Sequence, residues 1–130
     1  MPEYKEVTVR SGGGNVSIEL DTPDDPQLIY GRIWRYTLAK DADGKAGNFS
    51  TAEPVVDLGP AASVIDRIFV ATGIVIAHGD NPPSRYRVVV TVKQDGLAVY
   101  GPETVTDKGE GRVGAKDAPF TQHLIVRRAP

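Results

Sequence analysis

Apolar residues recur at every second position over much of this chain, and the segments that carry the alternation are separated by Gly, Pro and Asp. The clearest is Arg85 to Tyr100, where Tyr86, Val88, Val90 and Val92 share one face of a period-two strand and Arg85, Arg87, Thr91 and Lys93 share the other. Asp95-Gly96 predicts a two-residue type I′ hairpin, because that turn needs positive φ at both central positions. It would set Val92 opposite Val99 and Thr91 opposite Tyr100.

The same reading places strands at Tyr4–Arg10 and Asn15–Leu20, joined as a hairpin through Ser11-Gly12-Gly13-Gly14, and a third strand over Gln27–Ala39. Asp21–Pro26 is a loop, since its prolines fix φ and remove donors. Lys40–Gly47 reads as another loop. Asn48–Leu58 reads as a fourth strand, with Pro54 confining it to a sheet edge or a bulge.

Pro60–Thr72 fits two templates. Ala61, Val64, Ile65, Ile68 and Phe69 have helical spacing, whereas Val64, Ile68, Val70, Ile74 and Ile76 alternate. The preferred reading is a short helical turn near 60–66, then a β-branched strand Ile68–Ile76 bending near Gly73; a complete helix would make the protein α+β. His78–Pro83 is a loop. The span 101–118 is a long connection with room for a short strand at Glu103–Thr106, and Pro119–Arg128 closes the chain with Phe120, Leu124 and Val126 facing inward.

These elements predict an all-β fold, an antiparallel β-sandwich of about seven to eight strands, in one domain over 1–130. Pro83-Ser84-Arg85-Tyr86-Arg87-Val88-Val89-Val90 resembles the corner at which a loop feeds a central strand in immunoglobulin-like and fibronectin type III-like sandwiches. The Cys-Trp-Cys framework of immunoglobulin domains is absent. What the resemblance implies is an architecture, and architecture does not imply function.

Composition narrows the classes. A chain of 130 residues can enclose a core without disulfides or a metal, and its net charge of −2 offers no field that would gather nucleic acid. No apolar run approaches the roughly 20 residues that span a bilayer, so membrane insertion is not expected. Met1–Glu6 lacks the basic start and apolar stretch of a leader, which suggests a cytoplasmic protein or an extracytoplasmic one whose leader has been removed. The absence of cysteine fits a reducing cytosol and a cysteine-poor bacterial exterior alike.

Three constellations carry candidate chemistry. The third strand holds the single tryptophan: Leu28, Tyr30, Arg32, Trp34, Tyr36 and Leu38 share one face, Ile29, Gly31, Ile33, Arg35 and Thr37 the other. Large aromatics on a central strand usually anchor a core, which would bury the first face. The alternative buries Ile29 and Ile33, leaving Tyr30, Arg32, Trp34 and Tyr36 outside as a platform for a carbohydrate ring or a peptide side chain.

Simple up-and-down alternation would bring the loops at 11–14, 40–47, 78–83 and 101–118 to one end. Asp41, Asp43, Asp80 and Asp107 would then be candidate ligands of a structural calcium ion, although aspartates are also common turn formers. The third constellation is His78 with Asp80, a base and its orienter in a small hydrolase, which His123 could join only if the last strand runs past that loop. Otherwise His123 shares a face with Thr121 and Arg127 and reads as solvent-facing.

No G-x-S-x-G, H-E-x-x-H or Walker sequence places a nucleophile, a metal or a phosphate. Gly12-Gly13-Gly14 lacks the helix and lysine of a phosphate loop. Arg32, Arg35, Arg85, Arg87, Arg127 and Arg128 fall on strands, where they either solvate the sheets or form a modest basic face for an acidic partner. The expected function is therefore a non-enzymatic interaction or structural module for a protein partner or assembly, favoured by the long 101–118 connection and an open edge near Pro54. A carbohydrate-binding module and a hydrolase are the alternatives.

Overall fold

A computed structural model describes residues 3–24, 27–79 and 81–130. Its elements are β1 (Tyr4–Val9), β2 (Asn15–Asp21), β3 (Ile29–Thr37), β4 (Ala42–Ser50), β5 (Val55–Pro60), α1 (Ala61–Val64), β6 (Arg67–Val75), β7 (Ser84–Arg87), β8 (Val89–Gln94), β9 (Leu97–Thr104), β10 (Glu110–Val113) and β11 (Ala118–Arg128). The fold is all-β and sandwich-like. A five-stranded sheet in the order β1-β11-β6-β3-β4 and a four-stranded sheet in the order β5-β2-β8-β9 are joined by a two-stranded ribbon, β10-β7. Among the described residues no helix is long and apolar enough to cross a membrane.

The alternation read from sequence is what fills the core. Val16, Ile18 and Leu20 from β2, and Val90 and Val92 from β8, belong to the same buried cluster as Ile29 and Ile33 from β3 and Phe120, Leu124 and Val126 from β11. Period two places each set on one side of its strand, so the two sheets bury their apolar faces in a common core. The preferred reading of the ambiguous segment also holds, for a four-residue helix is followed by β6. At Asp95 and Gly96, φ is +54° and +78°, the two left-handed positions of a type I′ turn.

Several expectations are corrected. Tyr4–Arg10 and Asn15–Leu20 do not form a hairpin, because β1 pairs in parallel with β11 while β2 lies inside the other sheet between β5 and β8. Residues 10–14 instead cross from sheet to sheet. The crossing is held by Gln94, whose Oε1 accepts from the Arg10 N–H at 2.9 Å and whose Nε2 donates to the Arg10 carbonyl at 2.8 Å. A side chain at Gly13 would collide with the Gln94 amide.

Lys40–Gly47 is not a loop, since most of it belongs to β4, and Asn48–Leu58 is the end of β4, a turn containing Pro54, and β5. β4 is an edge strand that pairs with β3 alone, largely through a polar, exposed sequence. Such a strand needs backbone partners but no apolar face, so it leaves no alternation to read. In the hairpin, Val92 pairs with Tyr100 and not with Val99, because the β8/β9 register shifts between Val92 and Lys93. A β-bulge of this kind sets two residues of one strand against one of the other. The Arg85–Gln94 run is cut at Val88, where the chain passes from the β7/β10 ribbon into the four-stranded sheet. Together with β10, these divisions raise the strand count among the described residues to eleven.

Candidate functional site

β3 decides which face of the five-stranded sheet is open. Ile29 and Ile33 are 2% and 0% exposed, so they enter the core, and Gly31 lies between them against Gly73 of β6. Period two then turns Tyr30, Arg32, Trp34 and Tyr36 outward. Tyr30 is 53% exposed, Arg32 is exposed, and Trp34 and Tyr36 are half-buried. Burial of the aromatic face, the reading that size alone favoured, is thereby corrected. The core requirement of β3 is met by two isoleucines and a glycine.

The register extends this face beyond β3. Tyr4 pairs with His123, His123 with Val70, Val70 with Trp34 and Trp34 with Lys45, so one continuous row crosses all five strands. With strands ~4.8 Å apart, Tyr4 and Trp34 stand roughly 14 Å apart. Tyr4 and His123 meet edge to face with centroids 5.2 Å apart, and the Lys40 ammonium lies 5.5 Å from the Tyr4 ring centroid. Lys40 holds φ at +67°, in the turn that follows β3. These residues, with Tyr36, Val70 and the buried Ile68, line a cavity of about 220 Å³. A second hollow of about 360 Å³ lies beside Tyr30, Arg32, Lys45 and Asn48.

Tyr4, Val70, Lys40 and His123 were not identified as a site from sequence, because they come from four separate segments that only the strand order brings together. His123 is half-buried here and not simply solvent-facing. Burial pushes its pKa below the ordinary 6.5, with Asp107 acting weakly in the opposite direction. A lowered folded-state value means that the unfolded chain takes up the proton more readily. The stability gained from the neutral imidazole is present above 6.5 and is lost as pH falls through the folded value. We therefore expect the melting temperature to fall between pH 7.5 and 5, and to fall less in a His123→Gln protein, as followed by differential scanning fluorimetry.

Among its described members the acidic constellation does not assemble. Asp41 and Asp43 sit at the Thr37/Arg67 end of the five-stranded sheet, Asp43 within β4, whereas His78 follows Val75 at the Ile29/Val75 end. Division of the fourth predicted strand into β4 and β5 adds one traversal of the sandwich, which reverses the end at which every later loop emerges. Asp107 bridges to Thr121 on β11, and Asp80 lies outside the described residues. The Asp43 carboxylate stands 3.0 Å from Arg35 Nε and 3.6 Å from Arg67 Nε, with two guanidinium groups already facing it. Among the described residues no group of three or more His, Cys, Asp or Glu is arranged to hold a metal ion.

His78 is exposed, and its backbone N–H donates to the Gly114 carbonyl at 3.1 Å. It and His123 occupy separate parts of the molecule, so the structure does not bring them to one site. No family model matches the chain, and neither a curated protein nor a solved structure does.

Proposed function

We propose that the protein is a non-enzymatic binding module whose recognition surface is the outer face of the five-stranded sheet. The observation that carries the reading is the outward row from Tyr4 through His123 and Val70 to Trp34, flanked by Tyr30 and Tyr36, on a strand whose isoleucines already satisfy the core. Aromatic side chains supply large apolar area at small entropic cost, and Tyr, Trp and Arg dominate the energetics of protein interfaces. Lys40, Lys45 and Arg32 rim the apolar row with cations. The occupant that fits is a protein partner or assembly presenting an apolar patch with acidic neighbours.

A carbohydrate is the second reading. It is favoured by the hollow beside Tyr30, where Arg32, Lys45 and Asn48 place hydrogen-bonding groups next to an exposed ring. The Tyr86 hydroxyl donates forward to the Lys108 carbonyl at 3.0 Å and ties β7 to the turn before β10; the immunoglobulin-like or fibronectin-like likeness of that corner concerns architecture alone. The functional reading does not depend on that likeness.

Trp34→Ala is the test. Because Trp34 is half-exposed on the outer face, the variant should remain folded, with its far-UV circular dichroism unchanged, yet lose at least tenfold in affinity, about 1.4 kcal/mol, for whatever the wild type retains. Glycan-array signals that vanish in Trp34→Ala would assign a carbohydrate; a purified protein partner held by the wild type and released by the variant would assign a protein. Undiminished binding by a folded Trp34→Ala protein would remove this face from consideration.

A further inference from the structure

A different surface carries an unresolved charge. In the β7/β10 ribbon Arg85 pairs with Arg112 and Arg87 with Glu110, and ladder partners share a face, so all four project from one side. Arg85 and Arg112 set like charges directly opposite one another, an arrangement that destabilises a strand pair.

Arg87 is committed elsewhere. Its Nη1 lies 2.7 Å from Asp24 Oδ2, and its Nε donates to Thr104 Oγ1 at 2.7 Å. Among the described residues no carboxylate is within ion-pair distance of Arg85 or Arg112. Among the described residues the guanidinium of Arg112 donates to the Pro83 carbonyl alone, at 3.5 Å. Both arginines are exposed and border a hollow of about 510 Å³ that Asp24, Arg87 and Glu110 also line.

The ribbon itself is fixed. Gln27 Nε2 donates to the Arg85 carbonyl at 3.2 Å, and the Val88 N–H donates to the Gly109 carbonyl at 2.6 Å. Two guanidinium forks are thus presented from a pinned backbone.

We propose that Arg85 and Arg112 form a carboxylate-binding site. Among the described residues that line the hollow, three arginines against Asp24 and Glu110 leave one positive charge, which matches a monoanion. A carboxylate accepts two parallel N–H donors from each fork, and its charge removes the repulsion between them. A phosphate dianion would exceed the available charge and face both acids. The carboxylate would come from an acidic side chain of a partner protein or from a small organic acid. This site is on the ribbon, so it stands independently of the outer sheet face.

The experiment follows the arginine Nε–H resonances by NMR while sodium acetate is added to the full-length protein, with sodium chloride at matched ionic strength as the reference. Saturable shifts at Arg85 and Arg112 with acetate alone are expected, reduced at least tenfold in apparent affinity in both Arg85→Gln and Arg112→Gln. Without acetate, Arg112→Gln should melt no lower than the wild type, because it removes the opposed charge. An N-acetylated, C-amidated Gly-Glu-Gly peptide binding tenfold tighter than acetate would support the site and assign the carboxylate to a partner protein; equal affinity would support it and assign a free acid. Shifts equal in acetate and chloride, unchanged acetate binding in either variant, or phosphate binding tenfold tighter than acetate would each overturn the proposal.

Discussion

A Gly31→Val protein is expected not to fold. A Cβ at position 31 would stand 2.5 Å from Phe49 Cζ and 2.6 Å from the Gly73 Cα, and would meet the Thr72 carbonyl oxygen. Two of those neighbours are backbone of β6, the strand paired with β3 on that side, so no rotamer change relieves the clash. The strand would have to move. Gly73 is equally enclosed, with Phe49 Cζ and Phe120 Cζ each 2.9 Å from its hypothetical Cβ. The two phenylalanine rings, 6.1 Å apart, fill the volume that the glycine pair leaves empty.

Overpacking a core typically costs roughly 1–3 kcal/mol, and a backbone clash pushes toward or beyond the top of that range. Since a whole domain is stable by only about 5–15 kcal/mol, Gly31→Ala should lose about 3 kcal/mol and Gly31→Val most of the native signal. Circular dichroism and urea denaturation measure both. Gly12→Ala is the control, because none of the described residues lies within 4 Å of its Cβ position, and it should behave as the wild type. A Gly31→Val protein with wild-type melting would show that the close approach of β3 to β6 is wrong.

The second large effect is expected at Gln94. This side chain is 1% exposed, and its amide bonds to both backbone groups of Arg10, with a longer contact to the Gly14 carbonyl at 3.4 Å. Gln94→Leu keeps the volume and removes the hydrogen bonds. The Arg10 N–H then loses its partner, while the Arg10 carbonyl still accepts from Gly13 at 3.0 Å. Leaving this part-buried donor without its partner costs up to about 1–3 kcal/mol, and the loop that crosses between the sheets loses its anchor. We expect a loss of about 3 kcal/mol in urea denaturation, with the Arg10 amide exchanging its hydrogen much faster. Wild-type stability with a still-protected Arg10 amide would mean that the crossing is held by something else.

Gln94 also shows where reading the chain stops. In the sequence it is a polar residue just before a turn, and nothing in local pattern distinguishes it from a solvent-facing glutamine. Its role exists only because β1 and β2 belong to different sheets, so that the end of β1 passes the β8 to β9 turn. Gln122 is comparable. It is buried on β11 among Phe120, Leu124 and Val126, and its Oε1 accepts from the Thr106 N–H at 3.0 Å.

The candidate face was half legible. That Tyr30, Arg32, Trp34 and Tyr36 share one side of a strand follows from period two, and so does the opposition of Ile29 and Ile33. Which side is buried does not follow, because both carry apolar residues and a tryptophan is as good a core residue as an isoleucine. Gly31 decides it. A glycine pair that lets β3 and β6 approach under two phenylalanine rings is usable only on the inner side, but Gly73 and Phe120 must be in register for that to be visible.

By itself, the sequence determined that the chain is dominated by strands and that Asp95-Gly96 reverses it with two left-handed residues, and it favoured a short helical turn after Pro60 over a complete helix. Those features depend on local backbone preference and side-chain alternation, which are written within a few residues. Tertiary structure alone decided the strand order, the parallel pairing of β1 with β11, the polar edge strand β4, the row from Tyr4 to Trp34 and the opposition of Arg85 to Arg112. Each of these joins segments distant in the chain, and a backbone ladder forms between strands whatever their side chains are, so alternation can predict a strand but cannot name its neighbour.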